Sequence, residues 1–176
     1  NFELISREHK RFIQQLNTQV NGIADDLLLI ARVGMKTSAR NQFLGKVTAI
    51  REGTVNDEIE LEIVGGHTII AMVTSESAYE LNLKVGSEAF ALIKASSVFI
   101  VSEDDATHFS ASNRLTGTIS RIQTGAVNSE VILDLLGSGA ITASVTNESC
   151  DLLELAVGKP VTALFKASSV ILGIPL

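Results

Sequence analysis

Apolar and polar residues alternate along much of this chain. Ile59, Leu61 and Ile63 are separated by Glu60 and Glu62, the period of a strand with one buried face. Val131, Leu133 and Leu135 repeat the pattern, with Asp134 on the opposite side. Gly65-Gly66 and Gly137-Ser138-Gly139 follow these runs and predict hairpin turns. Further strands are predicted over residues 45–50, 68–73, 89–93 and 98–101. Between them, Ser75-Glu76-Ser77-Ala78-Tyr79-Glu80-Leu81 predicts a short helix, with Thr74 as N-cap and Glu76 in its first turn. Val85-Gly86 and Val157-Gly158 mark the loops back into strands.

These elements occur twice. Ser38 to Val101 aligns without a gap to Ser110 to Gly173, so that Thr74 matches Thr146 and Lys94 matches Lys166, an offset of 72 residues throughout. About 28 of roughly 64 aligned positions are identical, and Lys94-Ala95-Ser96-Ser97-Val98 recurs intact from Lys166 to Val170. The expected fold is therefore mainly β. Each copy has five or six short strands and one short helix and reads as a small OB-like barrel. The copies span residues 37–101 and 110–176, with a polar linker over 102–109.

Residues 1–36 follow a different period. Ile13, Leu16, Val20, Ile23, Leu27 and Ile30 are spaced by three and four residues, as in a heptad seam. A helix with this stripe either dimerises or packs on its own domain; Gly22 weakens it by about 1 kcal/mol. Dimerisation is the expectation.

Composition narrows the function. A 45% hydrophobic, 19% charged chain is globular. A formal charge of −6 argues against nucleic-acid binding by this segment alone, which needs clustered cations. No apolar run approaches the roughly 20 residues needed to span a bilayer, and the N-terminus lacks the features of a secretory signal. A single cysteine, Cys150, fits a reducing compartment, so a cytoplasmic location is expected; its counterpart Ala78 marks it as a small core residue. No His/Cys spacing suggests a zinc site, and no side chains that would coordinate a metal directly are predicted. A Ser/His/Asp set, a paired-carboxylate cleft and a Gly-rich phosphate loop are likewise missing, so an enzyme is not expected.

Three clusters offer donors to an anion. The first is Thr37-Ser38-Ala39-Arg40-Asn41-Gln42, before the first strand. The second is Thr74-Ser75-Glu76-Ser77, at the helix start. The third is Lys94-Ala95-Ser96, after a strand. Thr74 can also be a simple cap, and Arg40 and Lys94 simple surface charges. Repetition favours a task, because Thr146, Ser149, Lys166 and Ser168 are identical counterparts of Thr74, Ser77, Lys94 and Ser96.

The run Thr-Ser-Ala-Arg-Asn-Gln at 37–42, then Gly45-Lys46-Val47, resembles the opening signature of Mop domains, and Lys-Ala-Ser resembles their closing one. Tandem copies after a helix resemble the effector half of the ModE family of molybdate-responsive transcription regulators. The resemblance implies a molybdate or tungstate ligand. It also implies a homodimer through the helix and the Mop domains, with DNA bound only by an upstream domain absent here. The implied pocket is shared: Ser38, Arg40, Lys94, Ala95 and Ser96 from one subunit, Thr74 and Ser77 from the other. A second site would use Ser110, Lys166, Ala167, Ser168, Thr146 and Ser149. There Ser112 replaces the arginine, and whether Arg114 substitutes is open.

Three functions compete: a sensor in a regulator, an intracellular molybdate store of the molbindin type, and the regulatory segment of a molybdate-transport ATPase. The last ranks lowest, since the chain has no Walker sequence. The heptads and the absence of a starting Met fit a regulator trimmed of its DNA-binding part. An initiator Met immediately before Asn1 would sink that expectation.

Overall fold

The computed structural model describes residues 37–102 and 108–175. The helix expected over residues 1–36 lies outside the described residues.

Among the described residues, ten strands form two five-stranded antiparallel sheets. In chain order they are β1 (Asn41–Arg51), β2 (Asn56–Ile63), β3 (Thr68–Thr74), β4 (Glu88–Ile93), β5 (Phe99–Ser102), β6 (Asn113–Thr124), β7 (Asn128–Leu135), β8 (Gly139–Thr146), β9 (Pro160–Phe165) and β10 (Ile171–Gly173). Helix α1 (Ser75–Glu80) follows β3, and α2 (Asn147–Leu152) follows β8. The predicted alternation holds: Ile59, Leu61, Ile63, Val131, Leu133 and Leu135 are all buried. Thr48 and Ser120 sit in bulges that break the registers of β1 with β2 and of β6 with β7. A bulge bends a long strand. The bend lets β1 pair with β2 near one end and with β4 near the other.

The sheets do not follow the repeat. Their orders are β10-β4-β1-β2-β3 and β5-β9-β6-β7-β8, so each copy gives its last strand to the other's sheet. Phe99 pairs with Leu164, and the equivalent Ile171 pairs with Leu92. The cause is local. After β4 and after β9 the chain makes a single 3-10 turn, Ala95–Ser97 or Ala167–Ser169, which carries it away from its own sheet. One cluster of buried side chains accordingly runs through both halves, from Phe43 and Val47 to Leu133 and Phe165.

The halves meet with approximate two-fold symmetry, and the asparagine contacts between them have mates 72 residues away. Asn41, almost fully buried, donates from Nδ2 to the carbonyl of Thr142 (2.8 Å) and accepts its N–H at Oδ1 (2.7 Å). Asn113 does the same to Ile70, at 2.8 and 2.7 Å. Between the halves the two hairpin tips touch. Gly65, at φ +97°, lies so close to Gly137 that a Cβ there would sit 2.4 Å from its carbonyl.

At one pair of positions the copies diverge in a compensating way. In the first, buried Asp57 accepts from Ser75 Oγ (2.6 Å) and from the Gly53 N–H (3.1 Å), tying the helix start to the β1–β2 loop. In the second, Ser129 donates to Asn147 Oδ1 (2.7 Å), and Asn147 donates to the Gly125 carbonyl (3.0 Å). Asp57→Ser alone is expected to cost about 1–3 kcal/mol, by removing the buried acceptor of two part-buried hydrogen bonds. Adding Ser75→Asn should return most of that stability in urea titrations. No recovery would show that the two networks are not interchangeable.

Candidate functional site

Strand pairing brings two of the three predicted donor clusters together. Asn41 opens β1 opposite Ile93, the last residue of β4. Ser38 and Arg40 thus precede the same rung of the ladder that Lys94, Ala95 and Ser96 follow. In the second copy Asn113 faces Phe165, which sets Ser110 beside Lys166, Ala167 and Ser168. Ser110 and Lys166 line one groove of about 330 Å³, together with Phe99, Phe109, Ala111 and Leu164.

Exposure suits ligand contact. Ser38, Arg40, Lys94, Ser96, Ser110, Lys166 and Ser168 are exposed, Ala167 is half-buried and Ala95 is buried. Among the described residues, the ammonium groups of Lys94 and Lys166 make no hydrogen bond or ion pair, and neither do the hydroxyls of Ser38, Ser96, Ser110 and Ser168. Arg40 differs. Its Nη2 donates to both carboxylate oxygens of Glu130 on β7, at 2.7 and 2.5 Å.

The remaining cluster lies elsewhere. Thr74 caps α1 as predicted, its Oγ1 accepting the Ser77 N–H at 3.1 Å and donating to Ser77 Oγ at 2.8 Å. Thr146 and Ser149 repeat the arrangement at 3.2 and 2.8 Å. Each helix has only six residues, so the hydroxyls matter more than any macrodipole. Thr74 and Ser77 line a groove of about 340 Å³ with Glu80, Leu81, Val170, Ile171 and Leu172. This groove shares no residue with the one holding Ser110 and Lys166.

Two residues of this region escaped the reading of the sequence. Asn41 looked like part of a donor cluster, yet its side chain clamps β8. A signal existed, since Asn113 preserves it while its neighbours change. Glu130 attracted no notice, although its counterpart Glu58 is identical. No group of three or more His, Cys, Asp or Glu side chains among the described residues is placed to hold a metal ion.

Comparison with known proteins gives these features a context. The TOBE domain model matches twice, at residues 37–100 and 110–172. The chain is 41% identical over 170 residues, 97% of its own length, to the molybdenum transport protein ModE of Herbaspirillum seropedicae, and covers 63% of that protein. It is 49% identical over 141 residues, 80% of its own length, to the molybdenum-pterin-binding protein MopA of Rhodobacter capsulatus, covering 53% of it. It is 36% identical over 148 residues, 83% of its own length, to the DNA-binding transcriptional dual regulator ModE of Escherichia coli, covering 55% of it. The chain thus spans less than two thirds of each of these relatives. Among solved structures, the cytoplasmic molybdate-binding protein ModG with molybdate bound superposes with a TM-score of 0.78 at 47% identity, over 80% of this chain and all of that one.

Proposed function

Because this chain belongs to the TOBE domain family and carries the domain twice, we propose that it binds molybdate or tungstate as the sensor portion of a dimeric transcription regulator. The observation that carries the regulatory part is the extent of the Herbaspirillum match. At 97% of the chain it must take in most of residues 1–36, ahead of both domains. The full-length ModG match covers only 80% of this chain. The second reading, a molybdate store, draws its support from that ModG match, at higher identity over the whole of the other protein.

The proposed pocket uses Ser38, Arg40, Lys94, Ala95 (through its backbone) and Ser96 from one subunit, with Thr74 and Ser77 from the other. A tetrahedral dianion needs donors on several sides, and these residues supply a guanidinium, an ammonium, hydroxyls and backbone N–H groups. Its support is that the groove lined by Thr74 and Ser77 contains none of Ser38, Arg40, Lys94, Ala95 and Ser96 of the same chain. The exposed Phe99 and Phe109, beside Ser110 and Lys166, suit the approach of another subunit. The second-copy site, at Ser110, Lys166, Ala167, Ser168, Thr146 and Ser149, lacks the arginine and is the weaker of the two.

Calorimetric titration with molybdate, with sulfate as control, tests the ligand. Arg40→Ala is expected to weaken binding by tenfold to a hundredfold, from the roughly 1.5–3 kcal/mol of a charged hydrogen bond. Arg40→Ala and Thr74→Ala subunits should each bind poorly, while mixing them restores one intact pocket. No heat with molybdate, or equal affinity for sulfate, defeats the ligand assignment; mixing without recovery defeats the shared pocket. Molybdate-dependent DNA retention by the longer reading frame would separate regulator from store.

A further inference from the structure

Of the candidate ligand cations Arg40, Lys94 and Lys166, only Arg40 has an acid partner among the described residues. That acid, Glu130, belongs to the other half of the chain. The two halves neutralise this glutamate differently. Glu58, its counterpart, pairs with Arg51 on the neighbouring strand at 3.1 Å. Glu130 faces Gln123 at the equivalent rung, so the cation that holds Glu58 has no counterpart there, and Arg121, two residues along β6, makes no ion pair among the described residues. Arg40 reaches it from across the halves instead, where the counterpart of Arg40 is Ser112. Both arginines belong to the first copy, and the second has Ser112 and Gln123 in their places.

Resting on the reading that Arg40 binds the oxyanion, we infer that Glu130 sets the affinity of that site, as a resident counter-ion that the arriving dianion displaces. A carboxylate and an oxyanion compete for the same N–H groups and repel each other when both are present. The pair is easily parted. Glu130 touches only Nη2, and the side chains are 60% and 33% exposed. At equal distance a dianion attracts the guanidinium more strongly than a single carboxylate does. The site therefore binds less tightly than its donors alone would allow. Glu58, already held by Arg51, places no such load on a cation at the second-copy site.

The test is a molybdate titration of the 176-residue chain as wild type, Arg40→Ala, Glu130→Gln and the double variant, with melting temperatures recorded without ligand. Glu130→Gln is expected to tighten binding about two- to fivefold, the range of a partly exposed ion pair. In the Arg40→Ala background the gain should vanish, a coupling that a merely structural effect on the fold would not produce. If Arg40→Ala weakens binding but Glu130→Gln weakens it too, or changes nothing, Glu130 is not a competitor, while the oxyanion reading stands. A gain from Glu130→Gln that persists without Arg40 also overturns the inference. If wild type and Arg40→Ala bind alike, the oxyanion role of Arg40 fails and takes the inference with it.

Discussion

Gly65→Ala is expected to destabilise the protein by about 3–5 kcal/mol, and Gly66→Ala by only about 1–2 kcal/mol. The two glycines are neighbours with nearly the same backbone, at φ +97° and +91°. A Cβ costs each of them the left-handed penalty. At Gly66 it meets nothing within 4 Å, whereas at Gly65 it would lie 2.4 Å from the backbone of Gly137 and from Ser138 Oγ. Backbone cannot swing aside, so the hairpin tips must separate. Separation would also part His67 from Ser138, whose Nδ1 and Oγ lie 2.5 Å apart. Urea midpoints for the two variants give the comparison directly. Equal losses would mean that the tips do not meet in solution.

Asn41→Ala is expected to cost about 2–4 kcal/mol, and Asn113→Ala about the same. Each asparagine satisfies both backbone groups of one residue on the other half's outer strand. A buried N–H or carbonyl left without a partner costs about 1–3 kcal/mol, and each truncation leaves one of each. Asn41→Asp should fail nearly as badly despite its matching size. A carboxylate cannot donate to the Thr142 carbonyl, and its charge would be buried. Slowed amide exchange at Thr142 should be lost in the Asn41 variants and kept in the Asn113 variants. Parallel loss at both sites would mean that the two clamps do not act separately.

The strands, the hairpin turns and the Thr74 cap were legible because each depends on neighbours in sequence. A period of two names the buried residues of a strand and says nothing of which sheet will take it. Ile100 and Leu172 are buried as their pattern requires, but in the opposite half. Asn41 and Arg40 were illegible for a related reason. Their partners lie 101 and 90 residues away, and a polar residue before a strand looks the same whether it clamps a sheet or awaits a ligand. The candidate site came from repetition and family resemblance rather than from periodicity. What the fold adds is pairing: Ser38 and Arg40 stand beside Lys94 because β1 opens where β4 closes.

The exchanged strands have a consequence for how freely the copies can vary. Two separate, identical chains trading strands would find each other only as fast as their concentration allowed, and every substitution would appear on both sides at once. Tethering the two through residues 103–107 turns the trade into an intramolecular event, indifferent to dilution. It also breaks the symmetry constraint, since each side of every contact is encoded separately. Arginine can then occupy position 40 while serine occupies 112, and aspartate position 57 while serine occupies 129. On the function proposed above, one scaffold would carry two anion sites of unequal strength, extending the range of concentrations over which a single molecule responds.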